Sequence, residues 1–158
     1  MTLESVTIIP FNDQHQTDVD LLMKEINDEF SMPVSYPNYK PKQPDHYWIA
    51  LEEDKVVGSV ALNIEEGFIV LKRMFLKQAH RGKEKGISNQ LMQTVFNWCN
   101  EHNVNTIYLG TMEQFIAAQK FYKYYGFIKI TQQELPSNFS HNPIDNVFYK
   151  LVLQKTYN

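Results

Sequence analysis

The sequence is poor in the residues that make covalent or metal scaffolds. Cys99 is its only cysteine. An intrachain disulfide is therefore excluded, as is a CxxC metal pair. The five histidines, His15, His46, His80, His102 and His141, are scattered, with no HxH or HExxH spacing, so no zinc site is expected. No apolar run approaches the length needed to cross a bilayer. The opening MTLESVTIIPFNDQ has no basic segment followed by a long apolar stretch, so no signal peptide is expected, and a soluble cytoplasmic protein is the default. Basic excess is also lacking. The formal net charge is -3, which argues against a broad nucleic-acid face or an anionic membrane surface as partner. Internal repeats and low-complexity tails are absent as well.

What is present is an ordinary globular composition: 158 residues, 43% hydrophobic and 21% charged. That length suggests one domain spanning 1–158. It is enough to bury roughly 70% of the unfolded chain's surface.

The patterns alternate in period. Residues 2–9 read as a strand ending at Pro10. Asn12 or Asp13 is a candidate cap for a helix whose stripe is Val19, Leu22, Met23, Ile26 and Phe30. Residues 32–44 hold Pro33, Pro37, Pro41 and Pro44, which exclude a regular helix or central strand and leave a connector or a wall over a substrate site. Residues 46–52 and 55–63 form a predicted hairpin across Glu53-Asp54. Residues 67–77 read as a central strand. A helix over 86–103 has Ile87, Leu91, Val95, Trp98 and His102 on one face, followed by a strand over 104–109. Thr111 is the expected cap of a helix with Phe115, Ala118, Tyr122 and Tyr125 on one face, broken by Gly126. Strands over 127–132 and 146–153 close the chain. An exposed final strand is one route to a homodimer, and a monomer is the other option. The order β-α-loop-β-β-β-α-β-α-β-β predicts an α/β fold around a mixed sheet.

One junction stands out. In "HRGKEKGISNQL" a basic turn with two glycines joins the predicted central strand to the long helix. The first N–H groups of a helix have no internal partner, and the macrodipole makes that end positive. Glycine lets the backbone approach a ligand closely. Arg81, Lys83 and Lys85 would add charge-assisted contacts. The junction is thus a candidate phosphate cradle, the alternative being a solvated basic turn. A Walker A loop does not fit the spacing, and no GxGxxG fingerprint is present.

The segments "LKRMFLKQAHRGKEKGISNQLM", "IYLGT" and "AAQKFYKYYGF" together resemble the core of the GCN5-related N-acetyltransferase superfamily over residues 67–132. The resemblance implies a mixed, mostly antiparallel sheet flanked by helices and parted at its central strands. It implies acetyl-CoA as donor. The pyrophosphate would lie on the amides of Arg81, Gly82, Lys83, Lys85, Gly86, Ile87 and Ser88, and pantetheine would lie beside Met74, Phe75 and Leu76, with Phe115 and Ala118 across from it. Pantetheine amides can extend a strand edge. Backbone N–H near Phe75 and Leu76 would polarise the thioester. The family's loop is commonly R-G-K-G-[IV]-G; here Glu84-Lys85 is inserted and Ser88 replaces the last glycine. Phe115 stands where the family often has Asn.

The resemblance makes Tyr122 the expected general acid for the departing thiolate, a phenol near 10 lying within reach of a thiol near 8.5. For the general base the candidates are Glu65, Glu66, Glu113 and His80, with Glu113 chosen because the end of the fifth strand should face the cleft. One of Lys72 and Arg73 must point to the acceptor side, where it could steer an anionic substrate, the alternative being a strand residue that faces solvent or pairs with a carboxylate. Phe121, Tyr124, Tyr125, Trp98 and Cys99 are expected in the core. The implied activity is direct acetyl transfer to a primary amine of a small molecule or peptide. The alternative is a silent acyl-CoA sensor or interaction module. The acceptor itself is not legible; the resemblance places its specificity in variable segments, here Phe30 to Asp45 and Glu134 to Asn146, the latter with a loop bounded by Pro136 and Pro143 as a candidate lining of the acceptor pocket.

Overall fold

A computed structural model describes residues 6–30, 43–82, 86–139 and 142–154. Lys83, Lys85, His141, most of the proline-rich segment and the first residues of the predicted opening strand lie outside them. Ten regular elements follow the expected order. They are β1 (Val6–Pro10), α1 (Gln16–Asp28), β2 (His46–Glu52), β3 (Lys55–Glu65), β4 (Phe68–Leu76), α2 (Ile87–Glu101), β5 (Thr106–Thr111), α3 (Ile116–Tyr124), β6 (Ile128–Ile130) and β7 (Val147–Val152).

The sheet has the order β1-β2-β3-β4-β5-β7-β6. Every neighbouring pair is antiparallel except β4 and β5, which run parallel. β7 lies inside the sheet between β5 and β6, so the final strand is no free edge; among the described residues the edges are β1 and β6.

Local chemistry explains the turns. Glu53 and Asp54 both take positive φ, 51° and 65°, the backbone of a two-residue hairpin whose twist matches its strands. Asn12 caps a short 3₁₀ turn ahead of α1, its side chain accepting from the Gln14 amide at 3.0 Å. Thr111 does not cap α3: it ends β5, and the helix starts at Ile116 with Phe115 at the cap position.

The helices cover both faces. Ile49 and Val56 pack with Val19, Leu22 and Ile26 of α1. Their neighbours Ala50 and Val57 point the other way, into a core with Leu91, Met92 and Val95 of α2 and Tyr122 of α3. This is the strand's period of two, read out as two apolar layers. Those layers fix α1, α2 and α3 around the place where β4 leaves β5.

Candidate active site

β4 and β5 pair at Ile69 with Ile107 and at Val70 with Tyr108, and no further among the described residues. Beyond that point the strands separate, and a cleft of about 1420 Å³ opens between them. The β3–β4 register passes from Ala61 opposite Lys72 to Ser59 opposite Phe75, so β4 carries one extra residue. That bulge centres on Arg73, whose φ is 52°. The buried Ser59 hydroxyl donates to the Arg73 carbonyl at 2.7 Å and holds the distortion. An inserted residue breaks the alternation of faces. Lys72, Arg73, Met74 and Phe75 therefore all line the cleft, where regular pairing would send only alternate ones. The expectation that only one of Lys72 and Arg73 faces it is corrected accordingly. Leu76 lines it too.

At the far end of β4 the chain turns into α2. Gly86 precedes the helix in the left-handed region, φ 68°, and offers no side-chain cap. The amides of the first turn are thus left for a ligand. Gly82, Gly86, Ser88 and Asn89 line the cleft here. Ile87 differs: its side chain is buried in the core, so its amide alone is available.

Arg81 departs from its expected role. It reaches the cleft wall, yet its Nη1 and Nη2 donate to Glu29 at 2.8 and 2.9 Å, and its Nε donates to the Leu76 carbonyl at 2.9 Å. All three guanidinium nitrogens are committed to protein, tying the end of α1 to the end of β4. The helix start, rather than this side chain, is left to meet an anion.

α3 forms the opposite wall with Phe115, Ala118, Phe121, Tyr122 and Tyr125. Phe115 meets Phe30 edge to face, ring centroids 4.7 Å apart. The Tyr125 hydroxyl donates to Asn89 Oδ1 and bridges α3 to α2 across the cleft. Tyr124 turns outward, 64% exposed, and is not core as expected. Tyr122 is buried yet on the cleft wall. Burial first, and the Asp145 carboxylate second, push its phenol well above the ordinary value.

Lys72, Glu65, Asn63 and Asp145 also line the cleft. Burial lowers the Lys72 pKa, Asp145 and Glu65 oppose that shift, and Arg73 adds to it. Asp145 rests against Gly110, where a Cβ would come within 2.5 Å of Oδ2. Glu113, placed in the cleft from sequence, is exposed and outside the cleft wall, its amide held by Asn146 Oδ1 at 3.0 Å. The strand end faces the cleft through Gly110 and Thr111; the turn that follows carries Glu113 away. Glu66 is exposed at the β3–β4 turn. His80 pairs with Glu52 at 3.1 Å, outside the cleft. Of the four base candidates only Glu65 lies on the wall. Cys99 is fully buried, its thiol pushed up to about 11 by desolvation, in keeping with a core role.

Asn89 and Glu29 were not singled out in the sequence; Phe30 and Asp145 fall within the two variable segments without being named as site residues. Asn89 lies inside the stretch HRGKEKGISNQL, directly after Ser88, and could have been taken with the turn; the others depend on tertiary contacts. Among the described residues there is no cluster of three metal-ligating side chains, and no helix is long and apolar enough to cross a membrane.

A parted sheet, a bulge at the parting and a glycine-started helix beside it define a GNAT-type acyltransferase fold. The chain belongs to the acetyltransferase (GNAT) family, whose model matches residues 17–127. It is 33% identical over 118 residues to N-acetylaspartate synthetase of Xenopus tropicalis, covering 72% of this chain and 43% of that protein. It is 26% identical to N-alpha-acetyltransferase 30 of Schizosaccharomyces pombe over 78% of this chain and 85% of that one. The chain thus spans less than half the length of the first of these relatives. A crystal structure of a GNAT-family acetyltransferase from Staphylococcus aureus superposes with a TM-score of 0.78 at 28% identity, covering 94% of this chain and 99% of that one.

Proposed function

We propose that the cleft binds acetyl-CoA and passes its acetyl group directly to a primary amine. The observation that carries this reading is the conjunction of the uncapped Gly86 helix start and the unpaired stretch of β4 in one continuous cleft. The residues fit the co-substrate. The first-turn amides of α2 suit a pyrophosphate. The open edge of β4 from Lys72 to Leu76 suits two amides that extend a strand. The apolar wall of Phe115, Ala118 and Phe121 suits the intervening methylenes.

Atoms balance without a covalent enzyme intermediate. The acceptor ammonium loses a proton, and its nitrogen attacks the thioester carbon. The C–S bond breaks, and the thiolate leaves with or gains a proton as the new amide loses one. β4 N–H groups near Phe75 and Leu76 stabilise the oxyanion. Tyr122, with its raised pKa, donates a hydrogen bond to the thiolate; complete proton transfer from it runs uphill. Asp145, against Gly110, replaces Glu113 as the proton acceptor, with Glu65 beside it on the wall.

Calorimetry with CoA and a thiol-release assay with an amine panel test the reading. Binding with amine-dependent release is expected. Binding without release for any amine identifies a silent acyl-CoA sensor, and no binding by folded protein removes the proposal.

A further inference from the structure

We propose that the amine acceptor carries a carboxylate, and that Arg73 binds it. The inference rests on the acetyl-transfer reading and adds a substrate class and a specificity-determining residue.

Three observations carry it. First, Arg73 is a non-glycine residue at φ 52° on the cleft wall. Such a conformation persists only where its surroundings enforce it, and here the Ser59 bond to its carbonyl and the bulge do so. Second, the guanidinium lies over the Tyr47 ring, 5.0 Å from its centroid, and Tyr47 is itself stacked on Phe11 at 4.7 Å. A cation–π contact uses none of the guanidinium N–H groups as hydrogen-bond donors to oxygen, so they stay suited to a planar two-oxygen partner. Among the described residues no carboxylate lies within ion-pair distance of it. Third, Arg73 and Tyr47 also border a second recess of about 370 Å³, with Pro10, Phe11, Gln16 and Pro44. Asp45 also lines this recess, its carboxylate accepting from the Ile64 amide at 2.7 Å, so Arg73 is the cation left to meet a short anionic group there.

The geometry separates two anion sites. The α2 start lies beyond Leu76, past the far end of β4, and serves the donor. Arg73 lies at the bulge, next to the Lys72, Glu65 and Asp145 cluster, and serves the acceptor. A single guanidinium at a shallow recess matches one carboxylate.

The test pairs amino acids with their carboxamides: L-aspartate, L-glutamate and β-alanine, each against its amide. The wild-type protein is expected to favour the acid by about tenfold or more in kcat/KM, and Arg73→Gln to bring that preference to within about threefold. Succinate, which has carboxylates and no amine, needs no variant. It is expected to compete with the acceptor and not with acetyl-CoA, and this decides the matter should Arg73→Gln fail to fold. Equal use of acid and amide, a preference surviving in folded Arg73→Gln, or no competition by succinate overturns the inference. CoA binding with acetylation of carboxylate-free amines alone defeats this inference and leaves acetyl transfer standing; loss of CoA binding defeats both.

Discussion

Glu29 and Arg81 meet through two parallel hydrogen bonds of 2.8 and 2.9 Å, although 52 residues separate them in sequence. The pair closes α1 onto the turn that leads to the candidate phosphate site. It converts a residue that looks like a ligand-binding cation into a strut.

A partly buried bidentate pair of this kind is worth about 1–2 kcal/mol. Arg81→Met and Glu29→Gln should each lower the Tm by about 2–8 °C, measured by thermal denaturation. A double-mutant cycle should return a coupling of about 1 kcal/mol. The CoA Kd should move by less than about threefold, because the Arg81 guanidinium is committed to Glu29 and Leu76 and not to the ligand. A coupling indistinguishable from zero would show that the two side chains act independently.

Gly110 and Asp145 give a sharper probe of the proposed acceptor end. A Cβ at residue 110 would lie 2.5 Å from Asp145 Oδ2 and 3.1 Å from Asp145 Cβ, so Gly110→Ala must displace that side chain. Turnover should fall roughly ten- to hundredfold, the scale of a misplaced catalytic group, with the KM for acetyl-CoA little altered. Steady-state kinetics checks this. Unaltered kcat would take Asp145 out of the proton path.

Tyr122→Phe should lower kcat by roughly a hundredfold with little effect on acetyl-CoA affinity, read by initial rates and calorimetry. A stability signature accompanies it. The Tyr122 phenol titrates higher in the folded protein than its ordinary value because of burial and Asp145. Above pH of about 10 the folded state therefore holds a proton that the unfolded state has released, and stability falls as pH rises. Urea denaturation of the wild type at pH 8 and 10.5 should show that loss, and Tyr122→Phe should show less of it. Equal alkaline loss in both would contradict the assigned environment.

Much of this was legible in the sequence, for reasons that differ by element. Residues 46–52 read as a strand and form β2 with those bounds, because alternation there reflects a sheet packed on both sides by α1 and α2. α2 and the glycine ahead of it were readable from a helical stripe and a left-handed start. The resemblance to the family supplied the parting of the sheet. The bulge was not readable: the extra residue at Arg73 is an event of pairing with β3, invisible to the periodicity of "LKRMF" alone. The pairing of Arg81 with Glu29 was not legible because that partner lies at the end of a distant helix. Glu113 was misplaced because the end of β5 and the turn after it aim in different directions within two residues.

The scant pairing between β4 and β5 has a further consequence. Among the described residues, Ile69, Val70, Ile107 and Tyr108 supply the whole ladder between a four-stranded leaf, β1 to β4, and a three-stranded leaf, β5 to β7. The molecule is a book with a short spine. Any long guest laid along the gap becomes a second binding between the leaves, so occupancy should make the two halves melt as one body.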